Sequence, residues 1–423
     1  MATAPANPTS AQVQASMQKI YLKNEALMKH TNWEWQLFSS KAGGYGATIA
    51  LNTPYTFYFE NATFYTKALR LKVNNMKVDF ATTTASGSAV GVNAGGLLAF
   101  LGTLRVKLGN DIYRVRASAI PLLVQTFMKN GFGYPFRGNT TRSYSYQLSG
   151  SSQGSSTSSN AVITSAGTTT INWYVDIPLA MLQSVYDPDG IAPTLSRAGL
   201  EVSFTTGDSL TGDDATLYPF YSTSGGTATL ASSSPGTFSV SMLTATQNEV
   251  MSNKALPPFE VSSGFVVEEN VYPLTATQRQ FFTFQGQASN LWLTKSIVVI
   301  NNPGQVAGAY SQNADLSYLA LRYNKSKDIV VWNSENMSPG SPVPLDMFFI
   351  DQGEMYGDLP DGVLVFDWMA GTDPEYPNRH GYFDLGALRD AGIAFSTNAT
   401  LQTGAEICFY NIYLVPDLYV VQG

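Results

Sequence analysis

Leu388-Arg-Asp-Ala-Gly392-Ile-Ala-Phe395, then Ser396-Thr-Asn-Ala-Thr400, then Glu406-Ile-Cys-Phe-Tyr-Asn-Ile-Tyr-Leu-Val-Pro416 is the stretch on which the fold reading turns. Its closing run is dense in β-branched and aromatic residues, which suit a pleated, half-buried surface. The middle is a turn cluster. The whole reads as two strands that leave and re-enter a sheet. Far upstream lies a near-copy of its opening, Arg197-Ala-Gly-Leu-Glu-Val-Ser-Phe204. That match predicts a chain built twice.

Four further landmarks recur in the same order. Tyr55-Thr56-Phe57 answers Phe282-Thr283-Phe284. Thr66-Lys67 answers Thr294-Lys295. Leu104-Arg105 with Asp111-Ile112 answers Leu321-Arg322 with Asp328-Ile329, at identical spacing. Pro121-Leu122 answers Pro344-Leu345. Each copy then closes on a β-rich run, from Thr237 in one and from Ile407 in the other. Each has room for about eight strands of ordinary length, and internal repeats of this kind decide architecture. The expected fold is all-β: two tandem eight-stranded jelly-roll sandwiches behind an N-terminal amphipathic helix. The expected division is an arm and helix over 1–45, a first jelly roll over 46–252, a linker over 253–270 around Pro257-Pro258, and a second jelly roll over 271–423.

The helix expectation rests on Thr9 and Gln12 at capping-box spacing, followed by Val13, Met17, Ile20 and Leu27 at helical intervals. Lys19, Lys23 and Lys29 stand off that stripe and make the arm mildly basic. After Gly43-Gly44 the helical period gives way to short β-rich runs. Ile120 to Lys129 and Leu179 to Tyr186 are the remaining helical candidates. Ser149 to Ser159 and Thr205 to Gly236 are rich in Ser, Gly and Thr and are expected to be long loops without core residues.

Composition narrows the function classes. The 423 residues are 44% hydrophobic and 12% aromatic, a globular balance, with only 13% charged residues. A net charge of -7 gives no general footprint for nucleic acid. The single cysteine, Cys408, rules out a disulfide framework within one chain and is expected to be a buried thiol. The N-terminus shows no secretory pattern and no run reaches the ~18 apolar residues of a membrane span, so a soluble product of a host cytoplasm is expected.

No catalytic constellation emerges. Gly150-Ser-Ser-Gln-Gly154 fits the nucleophile-elbow pattern, but that elbow needs a strand before it and a helix after it. In a Ser/Gly tract the pattern is close to inevitable. The two histidines, His30 and His380, are not paired at metal spacing. Carboxylates gather at Asp187 with Asp189, at Asp208 with Asp213 and Asp214, at Asp358 with Asp361, and at Asp373 with Glu375. None follows a calcium-loop pattern, and Asp beside Gly or Pro is ordinary turn chemistry. The expectation is no enzyme, no catalytic residue, no cofactor and no metal.

Trp173-Tyr-Val-Asp-Ile-Pro-Leu179 followed by Leu200-Glu-Val-Ser-Phe204, and Leu359-Pro-Asp-Gly-Val-Leu-Val-Phe366 followed by Ala391 to Phe395 and the run to Leu414, resemble the late strands of two jelly rolls. With the N-terminal helix, the plan resembles the double jelly-roll major capsid proteins of tailless icosahedral double-stranded-DNA viruses, tectivirus-like phages in particular. The resemblance implies a homotrimer in which six jelly rolls form a pseudo-hexagonal capsomer of the virion capsid. It implies neighbouring capsomers, penton and minor capsid proteins as partners, no specific nucleic acid, and an arm at the base near an internal lipid membrane. Lys19, Lys23 and Lys29 of the arm would then face the membrane or a neighbour, and Trp33 and Trp35, in the arm just after the helix, a neighbour or subunit contact.

Two other classes are open to the same composition. A carbohydrate-binding or carbohydrate-active β-sandwich, such as a viral spike, would use the surface aromatics and loop carboxylates. An outer-membrane β-barrel would use the alternation and aromatics, but the two-copy plan speaks against it.

Overall fold

The computed structural model describes residues 32–59, 65–81, 89–108, 111–127, 144–150, 154–156, 162–163, 166–178, 192–193, 200–223, 225–246, 265–275, 279–284, 292–304, 310–311, 316–322, 329–333, 359–367, 383–384, 391–397 and 400–414. The expected N-terminal helix lies outside them, as do the candidate Leu179 to Tyr186 and the proline pair at 257.

Sixteen strands carry the architecture. In the first half they are β1 (Asn32–Leu37), β2 (Pro54–Phe59), β3 (Tyr65–Ala81), β4 (Thr103–Leu108), β5 (Asp111–Arg116), β6 (Gly167–Pro178), β7 (Leu200–Thr205) and β8 (Thr237–Thr246). In the second half they are β9 (Phe265–Pro273), β10 (Gln280–Thr283), β11 (Trp292–Asn301), β12 (Leu316–Arg322), β13 (Ile329–Asn333), β14 (Val363–Asp367), β15 (Gly392–Thr397) and β16 (Glu406–Leu414). The first half forms one sheet ordered β1-β8-β3-β6 and another ordered β2-β7-β4-β5. The second half forms sheets ordered β9-β16-β11-β14 and β10-β15-β12-β13. Every position in the second half is its first-half counterpart plus eight. The pairing is antiparallel throughout, and this order is the jelly roll.

The landmarks that lie in described strands fall in equivalent strands, but not all in equivalent register; Arg197 to Gly199, Asp328 and Pro344-Leu345 lie outside the described residues. Arg105 stands opposite Ser203, whereas Arg322 stands opposite Gly392. Tyr55 stands opposite Phe204, whereas Phe282 stands opposite Ile393. Both comparisons equate Gly392 with Ser203, four positions beyond Gly199. The Thr66 and Thr294 match fails in phase as well. It would equate Arg70 with Val298, yet Arg70 points away from its sandwich core and Val298 points into its own. An odd slip exchanges the two faces of a strand, so the repeat survives as topology while its local matches have drifted.

Burial explains the strand composition. In β7 buried and half-buried residues alternate, as they do where one face meets a core. The ten residues of β11 are buried without a break, the pattern of a strand covered on both faces. β3 is long enough to serve β8, β6 and further short strands. It absorbs a bulge where Asn75, at φ 52°, donates its backbone N–H to Asn172 Oδ1 at 2.8 Å.

The two Ser/Gly-rich tracts differ from expectation. Tyr144–Gly150 and Gly154–Ser156 pair as an extra hairpin at the edge of β6. The segment from Thr205 to Gly236 contains the strands Phe220–Thr223 and Thr227–Leu230 and contributes Leu210, Phe220 and Ala228 to the core. Phe220 packs edge-on against Phe80 with centroids 5.4 Å apart. A few apolar residues at the right places suffice to seat a polar segment; average composition hid them.

Candidate functional site

Two surfaces of the paired sandwiches carry the structure's notable side chains. The first is the wall between them. β5 ends at Arg116 and runs into a 3₁₀ turn, Ala117–Ala119, and the helix α1, Ile120–Phe127. Pro121 sits in the first turn of α1, where a missing N–H costs little. Ala117, Ala119, Ile120, Leu122 and Leu123 are buried. They share one apolar cluster with Ile297, Val299, Val363, Val365, Cys408 and Tyr410 of the second half. The intervening residues Val298, Ile300, Leu364, Ile407 and Phe409 face the second sandwich's own core. The sheet β9-β16-β11-β14 is therefore covered on one face by its own partner sheet and on the other by the first sandwich.

Polar contacts pin both ends of that seam. The Arg116 guanidinium lies 2.7 Å (Nε) from Glu269 Oε1, donates through Nη1 to Glu406, and donates to Thr216 Oγ1 at 3.1 Å. The Arg116 backbone N–H donates to Glu269 Oε2 at 3.1 Å. At the far end of α1, the buried Lys295 Nζ donates to the Thr126 carbonyl at 2.7 Å. Along the rim, Asn301 Nδ2 donates to Asp214 Oδ1 at 2.9 Å, and the Gly304 N–H to the Asp213 carbonyl at 3.0 Å.

The electrostatics follow from one cation among two carboxylates. Burial opposes the charge on Arg116, but the hydrogen bond to Glu406 and the nearby acidic groups hold its pKa above the ordinary value. Burial raises the Glu269 carboxyl, Arg116 pulls it back, and Glu406 pushes it up again. Burial also pushes the Cys408 thiol well up, with Glu406 adding to it, so Cys408 is a neutral wall residue.

The second surface is the outer face of β1-β8-β3-β6. Arg70 Nε and Nη2 clasp the two oxygens of Asp176 at 2.6 and 2.8 Å. The Asp176 side chain is 1% exposed. Burial raises its pKa and Arg70 lowers it in part. The same guanidinium lies 4.1 Å from the Trp35 ring centroid and 4.6 Å from that of Tyr174. Around this stack a cavity of about 550 Å³ is lined by Trp35, Leu37, Tyr45, Lys72, Ser239 and Ser241, among others. Trp35, Leu37 and Tyr45 are 36%, 51% and 63% exposed.

Of the residues singled out by sequence, Trp33 and Trp35 stand in β1, opposite Ala245 and Leu243 of β8. Trp35 reaches the outer cavity. Lys19, Lys23 and Lys29 lie outside the described residues. Arg70, Asp176, Arg116, Glu269 and Glu406 were missed. Their partners are 106 to 290 positions away in sequence, and no local motif marks them. Among the described residues there is no group of three or more His, Cys, Asp or Glu side chains placed to hold a metal ion. Asp214 instead closes a local turn, accepting from the Thr216 N–H and Oγ1, both at 2.7 Å. His30, His380 and the carboxylates at 187, 189, 358, 373 and 375 lie outside the described residues.

No family model and no curated protein matches the sequence. Solved structures do match in fold. The crystal structure of the major capsid protein of Sulfolobus turreted icosahedral virus aligns at a TM-score of 0.51 and 12% identity, over 92% of this chain and 98% of that one. A chain in the atomic structure of that virus aligns equally well, at a TM-score of 0.51 and 12% identity, over 92% and 96%. A capsid model of the virus PBCV-1 aligns at a TM-score of 0.49 and 9% identity, over 90% and 93%. The double jelly-roll fold is thus common to this chain and the turreted-virus protein along nearly their whole lengths.

Proposed function

We propose that this chain is the major structural protein of an icosahedral viral capsid, assembling as a homotrimer whose six jelly rolls form a pseudo-hexagonal capsomer. The observation that carries this reading is the fusion of two sandwiches of identical strand order across a continuous buried wall. One such chain supplies two equivalent rigid blocks, and three chains supply the six that tile a hexagonal lattice. The fold shared with the turreted-virus capsid protein supports it. The mechanism is geometric: the sheets are rigid walls, the seam at Arg116 and α1 locks the blocks, and side-by-side burial holds the trimer. No residue performs a reaction. The basic arm before β1 reaches neighbouring capsomers or a lipid layer beneath the shell, and penton and minor capsid proteins complete the virion.

Light scattering of the purified chain tests this. The expected particle has three times the 45.7 kDa chain mass and a hexagonal outline in electron micrographs. A stable monomer at micromolar concentration under mild conditions would overturn the proposal.

A further inference from the structure

The wall face of β9-β16-β11-β14 and the cavity face of β1-β8-β3-β6 are the same face of the same sheet in two copies of one fold. Their ladders can therefore be set side by side. Thr237 opens β8 opposite Asn74, as Glu406 opens β16 opposite Asn301. From that start Ser241 and Arg70 answer Tyr410 and Ile297, and Ser239 and Lys72 answer Cys408 and Val299. One strand over, Leu37 opposite Ser241 answers Glu269 opposite Tyr410. The charges coincide nowhere. Where the wall carries Glu269 and Glu406, the cavity face carries Leu37 and Thr237; where the cavity face carries Arg70 and Lys72, the wall carries Ile297 and Val299. We infer that Glu269 and Glu406 select the second sandwich as the seat of the Arg116–α1 block, and that Arg70 and Lys72 make the equivalent face of the first sandwich unfit for it. A chain of two like sandwiches thereby seats its first on its second, and not on the first sandwich of another copy. Selection of this kind acts on the seam inside one chain and does not depend on how many chains assemble.

The apolar part of the block cannot make this choice. Ile120, Leu122 and Leu123 gain from any apolar surface, because hydrophobic burial has no direction. The cavity face offers them Trp35, Leu37 and Tyr174. Arg116 does discriminate. At the wall its Nε lies 2.7 Å from Glu269 Oε1, its Nη1 donates to Glu406, and its backbone N–H donates to Glu269 Oε2. On the cavity face the same place lies between Leu37 and Thr237, with Lys72 on the adjacent strand. Among the described residues no carboxylate lines that cavity. Asp176, which Arg70 covers, is 1% exposed and has both oxygens taken by the Arg70 guanidinium. A second guanidinium brought there would lose its water, gain no counter-charge and meet two cations. An attractive pair on the right partner and like charges on the wrong one are the two means by which specificity is built.

The test uses the full chain with Glu269→Arg and Glu406→Arg together, and the same pair combined with Arg116→Glu. Circular dichroism verifies the fold, hydrogen exchange over Ala117–Phe127 reads whether the block is seated, and light scattering reads the assembly state. The expected result is exchange about 10-fold faster or more over that segment in E269R/E406R, while β3 exchanges as in the wild type. Adding R116E, which reverses all three charges, is expected to restore slow exchange; a space-filling role of the two glutamates would not be rescued in this way. Unchanged exchange in a folded E269R/E406R, or exchange that R116E fails to slow, overturns the inference. Should E269R/E406R not fold, E269Q/E406Q with and without R116M carries the same comparison. Loss of both carboxylates then quickens exchange and removal of the stranded cation slows it, and the absence of either change overturns the inference. Particles of E269R/E406R larger than the wild type that R116E removes would show the cavity face accepting the released block, and would overturn it too.

Discussion

Arg116 and Glu269 meet across the wall between the two sandwiches, Nε to Oε1 at 2.7 Å, although 153 positions separate them. Arg116 closes β5 and Glu269 sits within β9, so the pair joins the last step of one sheet to the first strand of the other half. Glu406 completes the cluster from β16. One guanidinium thus neutralises two half-buried carboxylates at the seam.

Removing that guanidinium leaves both carboxylates without their counter-charge. Breaking a buried pair by deleting one partner costs roughly 3 kcal/mol, and the residual exposure of these groups places Arg116→Ala at the lower end, about 2 kcal/mol. Glu269→Gln removes the surplus charge and keeps a side chain able to accept from the Arg116 N–H. It is expected to be neutral or stabilising at pH 7. Denaturant titration of both variants checks the ordering.

The pH dependence of that comparison has a definite sign. The Glu269 carboxyl titrates above its ordinary 4.5 in the folded protein, chiefly because it is buried. A group whose folded pKa is raised adds stability that is fully present below its unfolded value and is lost as pH rises through the folded one. The wild type should therefore lose stability relative to E269Q as pH climbs from about 4.5 toward 7. Melting temperatures of the two proteins across that range measure it; a constant difference would show that Glu269 titrates normally.

Cys408 is fully buried beside Glu406 and Arg116, with its thiol held protonated. Thiolate is the reactive form. Iodoacetamide or a chromogenic disulfide should leave the native protein unmodified over hours at pH 8 and label one thiol per chain in denaturant. Fast native labelling would mean that the wall opens.

Much of the fold was legible in the sequence, because two copies of one strand order leave paired landmarks such as Tyr55 with Phe282 and Ile112 with Ile329. What was not legible is register and reach. Gly199 was expected to serve as Gly392 does, yet the structure sets Ser203 in the matching place, since four residues of drift in one strand leave no mark on composition. The clusters at Arg70 and Arg116 depend on contacts over a hundred positions or more, which no local pattern encodes. The polar tract before Gly236 hid Phe220 for another reason: one fully buried aromatic does not shift a window dominated by Ser and Thr. Phe220→Ala is expected to cost about 3–5 kcal/mol, read by denaturant unfolding. A cost below 1 kcal/mol would return the segment to the status of a surface loop.

Gly392, in the stretch that first suggested a doubled chain, owes its identity to space. Its backbone is not in the left-handed region, so conformational freedom is not the reason. A Cβ at this position would lie 2.1 Å from the carbonyl oxygen of Phe282 and 2.9 Å from Thr283 Cα. Both belong to β10, the strand paired with β15 at Thr283 and Gly392. Backbone atoms in a ladder cannot rotate aside as a side chain can, so the sheet must part locally. Gly392→Ala is expected to cost about 3 kcal/mol or more, the upper end of overpacking. Gly404 is the informative contrast: its φ is +86°, and the nearest atom to an added Cβ is 3.9 Å away. Gly404→Ala should cost only the left-handed penalty, about 1–2 kcal/mol. Unfolding free energies of the two variants separate the effects. If G392A proved no worse than G404A, β10 and β15 would not approach as closely as they do here, and the second sandwich would be paired differently at its edge.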